Sequence, residues 1–169
     1  IRHGLDFNRM WDNVDEFLER IPHRNSVTFI VTYNNLSVVS LRKLLEGILE
    51  LRKKHSTTYQ RVWFDIPLLR QPAWQQITLL PEAYQEIHKD NIEYMRENSG
   101  EDKGLHIFKD FEIQKMLRNL AYWKKNANAD AKTKRNFYAF FNEHDRRRNT
   151  NFQNTFPEML EFWQECKNA

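Results

Sequence analysis

The sequence predicts an α/β fold: a parallel sheet bearing helices, followed by an all-helical extension. Three observations carry this. Two short strand-like runs, residues 26–33 and 61–67, are separated by a long amphipathic pattern of helical period. The first run, SVTFIVTY, is β-branched, aromatic and nearly continuous in apolar residues, as in a parallel strand covered on both faces. Beyond Asp65 no further strand-like run occurs, and apolar residues recur only at helical spacing.

The elements follow in order. Phe7, Met10, Trp11, Val14, Phe17, Leu18 and Ile21 recur at three- and four-residue steps, which predicts a first helix with one buried face. Asp6 is its expected N-cap, because a carboxylate accepts from free backbone N–H groups, and Pro22 ends it. After the first strand, residues 34–37 (NNLS) form a turn and cap. A second helix follows, with Val38, Leu41, Leu44, Leu45, Ile48 and Leu49 on one side. It closes on Arg52, Lys53 and Lys54, cations that suit the negative end of a helix dipole. The second strand, RVWFDIP, leads into a loop marked by Pro67 and Pro72, and Pro81 opens a third helix bearing Tyr84, Ile87, Asn91, Tyr94 and Met95. Residues 97–104 read as a surface loop. Phe111, Ile113, Met116, Leu117, Leu120 and Trp123 share a helical face, residues 124–134 form a polar hinge or exposed helix, and Phe137, Phe140 and Phe141 mark another helix. Pro157 starts a short last helix with Leu160 and Trp163. A strand–helix–strand crossover requires parallel pairing, and two strands alone are marginal. The expectation is therefore a portion of a larger α/β protein.

Composition narrows the classes. The chain has 169 residues, 40% of them hydrophobic, enough for a packed core. Lys and Arg number 26 against 23 Asp and Glu, and the net charge of +3 is too small to indicate nucleic acid. No run approaches the roughly 18 apolar residues of a membrane span. The single cysteine, Cys166, can form neither an internal disulfide nor a cluster site alone, which predicts a reducing, cytoplasmic setting. The six histidines show no metal-binding spacing.

Several motifs, in order, carry a resemblance. Ile1, Arg2 and Gly4 of IRHGLDFNRMW match a short motif, Ile-Arg-x-Gly, that leaves a strand and enters a helix. SVTFIVTYNNLSVVSLRKLLEGI, RVWFDIPLLRQPAWQQITLLPEAY and FYAFFNEHDRRRNTNFQNTFPEML follow. Together they resemble radical S-adenosylmethionine enzymes with a twitch-type auxiliary domain, from after the fourth barrel strand to the C-terminal helix pair. The resemblance implies the C-terminal part of a partial parallel (β/α) barrel over residues 1–97 and an all-helical extension over 98–169. It implies S-adenosylmethionine and a four-iron, four-sulfur (4Fe-4S) cluster as cofactors of the full-length protein, which would generate a 5′-deoxyadenosyl radical and abstract hydrogen from its substrate. The family's CxxxCxxC signature is missing from this sequence, so this span is expected to bind neither cofactor by itself and to be inactive alone. Its implied partner is the missing N-terminal half of the barrel. The substrate is left open.

The candidate cofactor contacts are Arg2, Thr32, Asn34 and Asp65; no residue is assigned a catalytic or metal-binding role. The resemblance places Arg2 against the cofactor's carboxylate, which a guanidinium matches with two parallel hydrogen bonds; a solvent-facing arginine is the plain alternative. Thr32 and Asn34 fall at the C-terminal end of the first strand, where α/β proteins bind ligands, though Asn34, Asn35 and Ser37 equally suit a cap. Asp65 interrupts an apolar strand and needs a partner, either a ligand or an ion pair, with Arg70 nearby in sequence. Glu143, His144 and Asp145 splay around a helix rather than converge, and Arg146–Arg148 suit a solvated helix end. Two other functional classes remain: a non-enzymatic module that docks a protein or peptide on the helical C-terminal region, and a nucleic-acid contact through Arg146–Arg148.

Overall fold

The computed structural model describes residues 6–100, 104–128 and 130–169. Helix α1 (Phe7–Arg20) starts where Asp6 accepts a 3.0 Å bond from the Arg9 N–H, and its chain turns extended at Ile21. Strand β1 (Val27–Ile30) leads through a single 3₁₀ turn (Asn35–Ser37) into α2 (Leu41–His55) and then β2 (Val62–Asp65). The two strands pair in parallel, with Val27 opposite Val62 and Ile30 opposite Asp65, and a further bridge joins Tyr33 to Leu68. Helices α3 (Ala83–Glu97), α4 (Asp110–Lys125), α5 (Ala131–Arg148), α6 (Phe152–Thr155) and α7 (Leu160–Asn168) complete the chain.

Side-chain alternation divides the sheet into two unlike faces. Val62 and Phe64 are buried, and Val27 and Phe29 lie beside them under α1 and α2. Trp11 of α1 packs on Phe29 with ring centroids 5.2 Å apart. The same indole lies in a notch over Gly47 of α2, where an added Cβ would come within 2.9 Å of it. An ion pair from Lys54 and a hydrogen bond with His55, both on Asp15, tie the two helices at the far end. The opposite face carries Thr28, Ile30, Trp63 and Asp65, and there Ile30 is 69% exposed.

This corrects the expected fold class. The described residues form a mostly helical structure with one sheet of two four-residue strands, and no partial parallel barrel is present among them. Two physical reasons are visible. The apolar run in residues 26–33 is covered on one face only, whereas continuous hydrophobicity had suggested both. At the outer edge of β2, side chains occupy the place another strand would take. The Val62 carbonyl accepts from Arg52 Nε at 3.0 Å and Gln60 Nε2 at 2.7 Å, and the Ile66 carbonyl accepts from Asn119 Nδ2 at 3.0 Å. With the Val62 and Ile66 carbonyls met and α4 packed alongside, the sheet of the described residues ends at β2.

A buried polar framework joins the sheet to the helices. Arg52 and Glu112 have fully buried side chains and form a two-pronged pair, 2.6 Å and 3.1 Å, with Arg52 also donating to the Ile107 carbonyl at 2.6 Å. Glu112 accepts from the Lys109 N–H at 2.9 Å, so one carboxylate both caps α4 and neutralises α2. Deeper in the core, Tyr33 Oη lies 2.7 Å from His88 Nδ1, and His88 Nε2 lies 3.0 Å from the Met116 carbonyl. The carbonyl can only accept, so Nε2 carries a proton and donates. In neutral His88, Nδ1 then accepts from the tyrosine hydroxyl.

The C-terminal helices pack through aromatic rings. Phe137 sits 4.8–5.6 Å from Phe141, Phe152 and Phe162, and Trp163 stacks on Phe152 at 4.4 Å. Trp74, in the loop after β2, lies 4.2 Å from Phe140, and Tyr84 Oη donates to the Glu158 carbonyl at 3.1 Å. These contacts fasten α5–α7 to the loop after β2 and to α3.

Candidate functional site

The uncovered sheet face and the loops at its C-terminal end form the candidate site. Because β1 and β2 run the same way, Thr32 and Asp65 come to the same end of the sheet. Thr32 is exposed two residues beyond Ile30. Asp65, opposite Ile30, accepts from the Lys115 ammonium at 2.6 Å and from the Ile66 N–H at 2.8 Å, both on Oδ1. Its side chain remains 40% exposed and that of Lys115 32%. The Lys115 hydrogen bond, opposed by partial burial, holds the Asp65 carboxyl below its ordinary range, so it is ionised at neutral pH.

Helix α4 builds the other side of this surface. Phe111 and Lys115 are four residues apart and therefore share a helical stripe. The Phe111 ring lies 6.3 Å from Trp63, tilted by 32°, and the Lys115 ammonium is 5.7 Å from the Phe111 ring centroid. Phe111 is 45% exposed. This side of the molecule therefore presents Ile30 and Trp63 of the sheet and Phe111 of α4 beside one half-exposed ion pair.

The remaining sequence candidates divide. Asn34 is occupied in the turn: its Oδ1 accepts from the N–H groups of Leu36 (2.9 Å) and Ser37 (3.2 Å), and its Nδ2 donates to the Thr32 carbonyl (3.2 Å). It therefore holds the loop that presents Thr32. Arg2 lies outside the described residues. Arg70 is not the partner of Asp65; its guanidinium stacks over Tyr122 at 4.1 Å and its carbonyl accepts from Gln76. Asn35 is buried and donates to the Trp74 carbonyl at 2.9 Å, which ties the two loops together. Lys115 and Phe111 were missed as site residues. Their signal was the four-residue step placing an aromatic and a cation on one stripe, beside the apolar one carrying Ile113, Met116 and Leu120.

The cluster chemistry does not fit these residues. No group of three His, Cys, Asp or Glu side chains that could hold a metal occurs among the described residues. Cys166 is buried, and burial pushes its thiol up to about 12, the reverse of a ligating thiolate. In the C-terminal helices, Arg146 and Arg147 both bond Glu143, at 2.6–2.8 Å, holding that carboxyl down at about 2. Among the described residues, no helix is long and apolar enough to cross a membrane. Comparison with family models, curated proteins and solved structures finds no match to this chain.

Proposed function

We propose that this chain is a portion of a radical S-adenosylmethionine enzyme, contributing a cofactor-contacting loop and one wall of the substrate site. The observation that carries this reading is the parallel β1–α2–β2 crossover, which brings Thr32 and Asp65 to one end of a sheet whose adjoining face is uncovered. Ligands in α/β proteins bind at that end of parallel strands. The ordered motifs of the sequence supply the family. In this reading the cysteines for the 4Fe-4S cluster belong to polypeptide outside these 169 residues, and the enzyme works in the cytoplasm.

Within this chain the roles are binding and orientation. Thr32 offers an exposed hydroxyl for a cofactor hydroxyl or amine. Asn34 keeps its loop in place through three hydrogen bonds. Asp65, ionised and steadied by Lys115, offers a carboxylate acceptor on the substrate wall. When bound, the cofactor supplies the hydrogen-abstracting chemistry; the protein supplies position and exclusion of water.

The test uses the full-length polypeptide, prepared anaerobically. The reading expects four irons per chain and formation of 5′-deoxyadenosine from S-adenosylmethionine after reduction. Thr32→Val should weaken cofactor binding in isothermal titration without changing the iron content. Absence of the cluster and of 5′-deoxyadenosine would overturn the proposal.

A further inference from the structure

The uncovered sheet face has a specific composition. Its apolar part is Ile30, Trp63 and Phe111, and its charged part is one anion and one cation side by side, Asp65 and Lys115, 2.6 Å apart. The pair has unused bonding capacity. Both bonds to Asp65 fall on Oδ1, and among the described residues Oδ2 has no hydrogen-bond partner. Lys115 uses one of its three ammonium donors on Asp65.

Charge complementarity decides which ligand suits such a site. A singly charged ligand satisfies one member of the pair and is repelled by the other, because they stand so close. A neutral apolar ligand would cover both charges without replacing their water, which costs free energy. A zwitterion avoids both penalties. An amino acid's ammonium and carboxylate oxygens are roughly 3 Å apart, given the N–Cα and Cα–C bond lengths, close to the spacing of the Asp65–Lys115 pair. Set alongside it, the ammonium meets Asp65 and the carboxylate meets Lys115. Four alternating charges result, each with two opposite neighbours, and the original ion pair need not open.

We propose that Asp65 and Lys115, flanked by Ile30, Trp63 and Phe111, form a subsite for an α-amino acid with a large apolar side chain. The ammonium donates to Asp65 Oδ2, Lys115 donates to the carboxylate, and the side chain lies on the tilted Trp63–Phe111 pair and Ile30. This rests on reading the uncovered face as a substrate wall, and it names the substrate class for that wall.

The experiment titrates the 169-residue chain with L-phenylalanine, following the protein's amide NMR shifts. Three relatives each lack one feature: 2-phenylethylamine has no carboxylate, 3-phenylpropionate no ammonium, and L-alanine no ring. The expected result is saturable binding of L-phenylalanine, with shifts centred on Ile30, Asp65 and Lys115, and at least tenfold weaker binding of all three relatives. Asp65→Asn and Lys115→Gln, both on half-exposed side chains, should each weaken L-phenylalanine binding about tenfold while preserving the circular dichroism spectrum. Equal binding of 2-phenylethylamine or 3-phenylpropionate would make the site a single-charge site and overturn the proposal. So would absence of saturable L-phenylalanine binding, or unchanged affinity in both variants. No arm contains S-adenosylmethionine, so a failure here leaves the result of the cofactor test independent.

Discussion

Removing the carboxylate of Glu112 should destabilise the whole fold. Three hydrogen bonds end on this side chain, two from Arg52 and one from the Lys109 N–H, and both charged side chains are fully buried. In Glu112→Ala the guanidinium keeps only the Val62 and Ile107 carbonyls, leaving a positive charge out of water with no counterion. Breaking a buried pair from one side costs about 3–5 kcal/mol. That is a large share of the roughly 5–15 kcal/mol typical of a domain. Arg52→Met should cost a similar amount, because it strands the carboxylate instead. The double variant Arg52→Met/Glu112→Leu should lose far less than the sum, since no charge remains unpaired and the Val62 carbonyl keeps Gln60 as a donor. Urea unfolding followed by tryptophan fluorescence measures all four proteins, and the cycle isolates the pair. If a single variant is too unstable to measure, Glu112→Gln provides a milder step in the same direction. A loss under about 1 kcal/mol in the single variants, or strict additivity in the double, would refute the reasoning.

Two further outcomes follow from other buried groups. Burial lowers the pKa of His88, so its folded-state value lies below the ordinary one near 6.5. The unfolded chain therefore takes up a proton first as pH falls. This group's contribution is complete above about 6.5 and diminishes from there down toward the folded pKa, by up to about 1.4 kcal/mol per pH unit. His88→Gln should flatten this slope between pH 7 and 5; an unchanged slope would remove His88 as its source. Cys166, with its thiol raised to about 12 inside the C-terminal helices, should resist iodoacetamide in the native protein and react once in urea. Rapid native alkylation would contradict its burial.

Local features were legible in the sequence because their causes are local. The period of Phe7 to Ile21 specified α1, and Asp6 caps it through a bond spanning three residues. The crossover followed from two apolar runs flanking one amphipathic helix, and parallel pairing followed from the connection itself. The coverage of β1 was misread, because an apolar run reports affinity for a core and not how many faces a core supplies. Thr28 and Ile30 are exposed although their stretch reads as buried.

Although it marked neither α6 nor the exposure of Phe7, Phe17, Phe111 and Phe140 on their helices, the sequence by itself determined the order of the main helices and the two strands and that β1 and β2 run in one direction. These depend on residue spacing and chain connectivity. The tertiary structure alone decided that Asp65 meets Lys115 rather than Arg70, that Arg52 meets Glu112, and that Tyr33 meets His88, across 50, 60 and 55 residues. It also decided that α4, not another strand, takes the edge of β2. Such pairings depend on how whole elements dock, and a side chain's charge or hydrogen-bonding capacity specifies what kind of partner it needs, not which one it will find.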